Sequence, residues 1–148
     1  MPILWRISNY ENLEGIGGLY SEGRWHRRGL KVVYLAEHPA LALLEVMVHL
    51  EIDHEDLPDS YRMLKISVPE NDEYVSECSL PENWKHDEST TQAIGVKWLE
   101  HASSPLLRVP SVILPESINF ILNPMHPSSA DITIVDVIDF PFDERLKF

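Results

Sequence analysis

Val32-Val33-Tyr34-Leu35-Ala36-Glu37-His38-Pro39-Ala40-Leu41-Ala42-Leu43-Leu44-Glu45-Val46-Met47-Val48-His49-Leu50 is the stretch whose reading decides the fold. Val32 to Ala36 is apolar, β-branched and aromatic, the pattern of a buried strand. Pro39 falls where the first turn of a helix can do without an N–H. Leu41, Leu44 and Val48 then recur at helical spacing, and Leu43, Met47 and Leu50 widen the apolar surface. A strand therefore runs straight into an apolar helix. Glu45 stands inside that helix, with His49 four residues later on the same face. Tyr34 lies on the strand, and the basic run Arg24-Trp25-His26-Arg27-Arg28 comes just before it. A carboxylate, a phenol and a guanidinium brought together by one strand–helix unit are the parts of a site.

Outward from this unit, strands and helices mix without strict alternation. Ile3 to Ile7 reads as a first strand, Leu30 to Ala36 as the second, and Ala40 to Glu51 as the main helix. Gly15, Gly17, Gly18 and Gly23 would let the backbone approach a ligand closely, but no strand–turn–helix pattern makes them a dinucleotide fingerprint. The acidic run from His49 to Asp59 reads as a solvated helix end and loop. Tyr61 to Val68 alternates as a strand with one wet face. The segment around Pro81 and Trp84 reads as irregular and exposed. Ser89 with Gln92 offers a capping box for a second helix through Ala102, with Gly95 as a weak point in it. Leu106 to Leu114 is a strand interrupted at Pro110 and Ser111, which implies an edge, a bulge or a ladder broken for a purpose. Ile118–Leu122 and Ile132–Ile138 add strands, and the Phe140-Pro141-Phe142 tail could dock its aromatics on the core. The class is α+β, in one domain spanning 1–148.

Composition narrows the function. The chain has 148 residues, 44% of them hydrophobic, which suits a globular protein with a real core. Its formal charge of −12 repels nucleic acid and anionic membrane as a whole. Yet Arg24, Arg27, Arg28 and Lys31 lie within eight residues, so a local cationic groove is possible. A single cysteine, Cys78, points to a reducing compartment. Met1 to Arg6 lacks the pattern of a secretory signal, and no apolar run has the length of a membrane span. A cytoplasmic protein without membrane attachment is the expectation.

Each candidate residue has two readings. Arg24 is either a surface arginine of a basic loop or a planar, permanently charged clamp for phosphate. His38, Ala42, Glu45 and His49 form either a solvent-facing stripe or, if the stripe faces a cleft, a carboxylate that stabilises a developing cation. Tyr34 is either a half-buried packing residue or a ring for stacking on a flat ligand. Ser111 reads as a polar strand residue, since no nucleophile elbow surrounds it. No metal motif is present; His49 with Asp53 and His54 is only a weak grouping.

With these residues in view, the chain resembles the RES-domain toxins. The likeness rests on Arg6, on Gly23-Arg24-Trp25-His26 with Gly29, on Val33-Tyr34-Leu35-Ala36 and on Leu44-Glu45-Val46. It continues through Leu80-Pro81 with Trp84, Thr91-Gln92 with Gly95, Trp98-Leu99, Val109-Pro110-Ser111, Asn119, Asn123-Pro124 with His126, and Phe142-Asp143 with Arg145-Leu146. The Arg, Glu and Ser for which the family is named fall at Arg24, Glu45 and Ser111. Where the family has Gly-Gly-Arg-Trp-Asn, this chain has Glu22-Gly23-Arg24-Trp25-His26.

The resemblance implies a compact fold like that of the ADP-ribosyltransferases and an activity that depletes NAD, by hydrolysis or phosphorolysis, or that ADP-ribosylates a protein. NAD is then substrate, with no separate cofactor. It also implies an Xre-type helix-turn-helix antitoxin as partner. Arg24 and Arg6 would hold phosphate, Tyr34 would stack on nicotinamide or ribose, and Glu45 would stabilise the cation and orient the acceptor. Ser111 would hydrogen-bond the ribose, and Asn119 joins the NAD-binding set. Three alternatives stay open: a ribonuclease using His26, His49 or His126, a binding domain in which Arg24 and Glu45 form a structural ion pair, and self-association through the C-terminal aromatics.

Overall fold

The structure is a computed structural model that describes residues 2–49, 61–139, 143, 145 and 146. The acidic run at 50–59 and the aromatics at 140–142 lie outside the described residues, as do Asp53, His54 and the side chain of His49.

Strands Ile3–Ser8 (β1), Val33–Ala36 (β2), Arg62–Ser67 (β3), Val75–Glu77 (β4), Leu106–Pro110 (β5), Ile118–Leu122 (β6) and Thr133–Asp139 (β7) make one sheet. Its order is β4-β5-β6-β2-β1-β3-β7. Every neighbour is antiparallel except β4 on β5. Helices Pro39–His49 (α1) and Glu88–His101 (α2) complete an α+β domain. Neither is long and apolar enough to cross a membrane.

Strand alternation sorts the core into two faces. Leu4, Val33, Leu35, Leu64, Ile66, Leu106 and Leu122 share one. On the other, α2 covers Trp25, Leu107, Val109 and Ile121, while α1 covers Ile7, Ala36 and Met63. Tyr34 packs with the α2 group and Ala36, two residues on, belongs to the α1 group. Both helices therefore lie on the same side of the sheet. β1 and β2 share the single register pair Trp5–Ala36, so a three-stranded half (β1, β3, β7) meets a four-stranded half (β4, β5, β6, β2) at that point.

The structure departs from the sequence reading in five places. β2 begins at Val33, because the preceding segment lies on the glycine loop: a Cβ on Gly18 would stand 2.1 Å from the Leu30 carbonyl oxygen. Gly18 thus serves backbone packing rather than ligand approach. β3 has no wet face; Met63, Leu64 and Ile66 are all buried, since β1 and β7 flank it and both sheet faces are covered. Its polar members find partners at the edges, Lys65 over the Trp5 ring at 6.0 Å and Arg62 on Asp139 at 2.5 Å. β4 is only three residues long, too short to carry a period, and was not legible. β5 ends at Pro110, and Ser111 turns its N–H to the Ser117 carbonyl at 2.9 Å. Finally, Asp87 rather than Ser89 caps α2, its side chain accepting the Thr90 N–H at 3.1 Å.

Gly95 is a requirement rather than a weak point. A Cβ there would sit 1.7 Å from the Trp25 carbonyl oxygen, so α2 can seat against this backbone only without a side chain. Gly95→Ala is expected to destabilise the fold by on the order of 3 kcal/mol. That lowers the melting temperature by roughly 6–12 °C in a chain of this size. An unchanged melting temperature would mean that α2 does not seat on the Trp25 segment in solution.

Candidate active site

The site begins with a tight turn. Gly23 N–H donates to the His26 carbonyl at 3.2 Å, leaving Arg24 and Trp25 at its centre. Trp25 is buried, its ring 6.2 Å from that of Trp84. Arg24 is half-buried: Nη2 donates to the Trp84 carbonyl at 2.5 Å and the guanidinium lies 5.8 Å from the Trp84 ring centroid. Trp84 is accordingly part of the site, not an irregular surface residue.

Helix α2 grips the carbonyl side of the turn. Thr91 Oγ1 donates to the Arg24 carbonyl at 2.7 Å, Gln92 Nε2 donates to the Gly23 carbonyl at 3.0 Å, and Gly95 lies under Trp25. Gln92 is thus no member of a capping box. Asp87 sits nearby, held below the usual carboxylate range chiefly by its hydrogen bonds to Thr90, with a lesser contribution from Arg24.

Tyr34 grips the other side. Its hydroxyl oxygen accepts the Trp25 N–H at 3.1 Å and lies 2.7 Å from His26 Nδ1. His26 Nε2 is 2.8 Å from the Ser21 carbonyl. A carbonyl can only accept, so Nε2 carries the proton; Nδ1 of the neutral ring is then bare and accepts the Tyr34 O–H. Gly23 is needed here too, because a Cβ would stand 2.6 Å from the Tyr34 oxygen. Burial pushes the Tyr34 phenol up, with Glu88 adding to the effect and the Trp25 N–H opposing it. Burial also lowers the His26 imidazole, against the Ser21 carbonyl and Glu22.

The second cluster is built on Glu45. The α1 stripe turns inward to the sheet: Ala42 is buried and Glu45 half-buried. Glu45 Oε1 accepts Ser111 Oγ at 2.7 Å and Asn119 Nδ2 at 2.8 Å. Ser111 is fully buried, and its oxygen also accepts the Ile113 and Leu114 N–H groups at 3.2 Å each. Its hydroxyl is engaged by Glu45 and by the loop. Asn119 pairs with Ala36 across β6 and β2, and Tyr34 pairs with Ile121. Tyr34 and Asn119 are therefore diagonal neighbours on one face, a spacing of about 7–8 Å in sheets.

Two buried side-chain atoms among the described residues lack a partner, Arg24 Nε and Asn119 Oδ1. One is a donor and one an acceptor, and each belongs to one of the two clusters. Buried polar groups are nearly always satisfied, so this pair marks where a ligand with both an anionic and a hydroxyl or amide function would gain most. The Asn119 amide cannot simply flip to cure the defect, because a carboxylate at Glu45 needs a donor facing it. An open, largely apolar groove of about 620 Å³ lies along the start of α1, lined by Leu41, Leu44 and Leu114 with Glu37, His38 and Ser117; Glu45, Ser111 and Asn119 do not line it.

Arg6 stands apart. It alternates with Trp5 and Ile7 on β1, which pack beneath α1, and so starts from the Leu4 face. Its Nη1 donates to the Asn12 carbonyl at 3.3 Å, and burial lowers its guanidinium from the usual value. The rival readings also meet geometry. His26 has both ring nitrogens engaged, and His126 Nδ1 accepts the Ser128 N–H at 3.0 Å, so neither offers a ready acid–base pair for RNA. Arg24 is held by Trp84 and Glu45 by Ser111 and Asn119, so they are not each other's ion-pair partner. Sequence reasoning missed the grips on the turn by Thr91, Gln92 and His26, and the bond from Asn119 to Glu45. All but the His26–Tyr34 contact join residues more than 60 positions apart, through helix packing and strand pairing that local pattern does not carry.

Comparison with known proteins agrees with this architecture. The family model described as the RES domain matches residues 3–143. The chain is 46% identical over 147 residues to "Toxin Res" of Pseudomonas putida, covering 97% of this chain and 99% of that protein. It is 34% identical over 154 residues to the "Prs ADP-ribosylating toxin" of Sphingobium sp., with 96% and 94% covered. The crystal structure of the M. tuberculosis MbcT–MbcA toxin–antitoxin complex contains a chain of the same fold, with a TM-score of 0.74 at 18% identity, covering 93% of this chain and 83% of that one. With its family model spanning nearly the whole length and a near-full-length relative at this identity, the chain belongs to the RES domain family.

Proposed function

We propose that this protein is the toxin of a toxin–antitoxin pair and that it depletes NAD by cleaving the bond between nicotinamide and ribose. The observation that carries the reading is the Glu45 carboxylate, held by Ser111 and Asn119 on the sheet face that also bears Tyr34 and the Arg24 turn. The names of the relatives support the toxin assignment, and the MbcT–MbcA complex supports an antitoxin partner. An Xre-type helix-turn-helix protein covering the cleft is the partner that the family resemblance suggests.

The chemistry suits these residues. Nicotinamide is cationic in NAD and leaves neutral, taking the bonding electron pair, so no general acid is required. What the site must supply is a grip on the pyrophosphate, stabilisation of an oxocarbenium-like ribose and a placed acceptor. Arg24 supplies the grip with donors not used on Trp84. The Tyr34 ring, its hydroxyl occupied, is left to stack. Glu45 faces the developing cation and orients water or phosphate for attack at the same carbon; with water, the proton lost by the nucleophile leaves as ADP-ribose forms. Ser111 and Asn119 keep the carboxylate in place, and Asn119 Oδ1 is available to a ribose hydroxyl. Arg6, on the other face of β1 from Tyr34 and Glu45, is left out of this arrangement. Transfer of ADP-ribose to a protein is the second reading, favoured by the name of the Sphingobium relative.

Glu45→Gln is expected to lower nicotinamide release from NAD by on the order of 100-fold or more while NAD binding survives. Retained turnover in that variant would remove the assigned role. Ser111→Ala, which frees the carboxylate without removing it, should lower kcat by a smaller factor, about tenfold, with KM little changed. Chromatography of the products with and without inorganic phosphate separates the routes. ADP-ribose with nicotinamide means hydrolysis, and a phosphate-dependent ADP-ribose phosphate means phosphorolysis. Nicotinamide release only when a protein acceptor is added means transfer, and no release in any of these conditions rejects NAD cleavage.

A further inference from the structure

The turn that carries Arg24 is pinned on its N–H side by one atom, the Tyr34 hydroxyl oxygen, and that atom answers to His26. We propose that His26 is a positioning residue: neutral, it takes the Tyr34 proton and leaves the phenolic oxygen to hold the Trp25 N–H, fixing the Arg24 turn; protonated, it breaks this arrangement and weakens binding of the dinucleotide. The proposal rests on the reading of Arg24 as the pyrophosphate ligand.

The hydrogen-bond inventory requires a single direction along the chain. Ser21 carbonyl accepts from His26 Nε2–H, His26 Nδ1 accepts from Tyr34 O–H, and Tyr34 oxygen accepts from Trp25 N–H. Every donor and acceptor on this line is used once. A second proton on His26 makes Nδ1 a donor as well, so two N–H groups converge on the Tyr34 oxygen and its own proton loses its acceptor. Among the described residues the Tyr34 contacts include no other acceptor to receive it. The charged groups facing the pair are Glu22 on the loop and Glu88 from α2. Glu22 favours a cation on His26, and burial, which opposes it, outweighs Glu22 and the Ser21 carbonyl; Glu88 acts on the Tyr34 phenol and keeps it protonated.

The sign of the effect follows from linkage. The unfolded histidine titrates near about 6.5, and the folded one lower. Between the two values the unfolded chain binds more protons, so stability rises with pH through that window and is lost as pH falls below about 6.5.

The test is histidine NMR on the intact protein, with calorimetric binding of ADP-ribose as the probe of the Arg24 site. The expected result is a neutral His26 with the proton on Nε2, whose titration below pH 6.5 is matched by a shift of the Trp25 amide. ADP-ribose affinity should fall about tenfold over the same range. In Tyr34→Phe the His26 midpoint should rise, and affinity should already be low at neutral pH and flat with pH. A proton on Nδ1, a midpoint at or above that of free histidine, or pH-independent ADP-ribose binding by the wild type would overturn the proposal. If Tyr34→Phe fails to fold, the joint titration of His26 and the Trp25 amide in the wild type decides. Absence of nicotinamide release together with pH-dependent ADP-ribose binding would reject NAD cleavage and leave the His26 assignment standing.

Discussion

The backbone of Trp25 is held from two sides, and much of the molecule is arranged to make that possible. Its carbonyl rests against the bare Cα of Gly95 on α2, and its N–H donates to the Tyr34 hydroxyl on β2. The neighbouring carbonyls of Gly23 and Arg24 are taken by Gln92 and Thr91. A four-residue turn has little stability of its own, because few bonds oppose its conformational entropy. Here three external hydrogen bonds to its backbone and a buried indole supply what the turn lacks. The guanidinium at its centre inherits that rigidity, which a clamp for a flexible, charged ligand requires.

The carboxylate half of the site follows the same logic with different parts. Glu45 sits on a helix whose other residues are almost all apolar, so the chain buries α1 against the sheet and brings one acid inward. Left unpaired, such a group would be costly. Ser111 and Asn119 lower that cost from β5's end and from β6. Proline at position 110 ends the strand where Ser111 must leave the ladder to reach the acid. The broken strand expected from the sequence thus has a use, and Pro110 falls past the end of the β4 pairing, which stops at Arg108, so its missing N–H breaks no bond to β4.

The two halves remain distinct. One hangs on α2 and the loop before β2, the other on α1 and the segment after β5. They meet because Tyr34 and Asn119 lie diagonally on adjacent strands. The atoms left unsatisfied, Arg24 Nε and Asn119 Oδ1, fall one in each half. Among the described residues no other buried side-chain nitrogen or oxygen lacks a partner.

The sequence by itself determined the strand–helix unit at 32–50, the α+β class and the identity of the principal polar residues. Those follow from local periodicity, from proline and from residue chemistry, which act over a few positions. It also carried the family resemblance, which comparison upholds. It could not show that Ser111 serves Glu45, that His26 governs Tyr34, that Gly95 is a seat for Trp25 or that Arg6 starts from the opposite face. Each of these depends on strand register or on contact between segments 8 to 70 residues apart. Register is fixed by the burial of whole faces, a property of the assembled sheet and not of any one segment. Chemistry was legible in the residues, and its geometry came only with the tertiary fold.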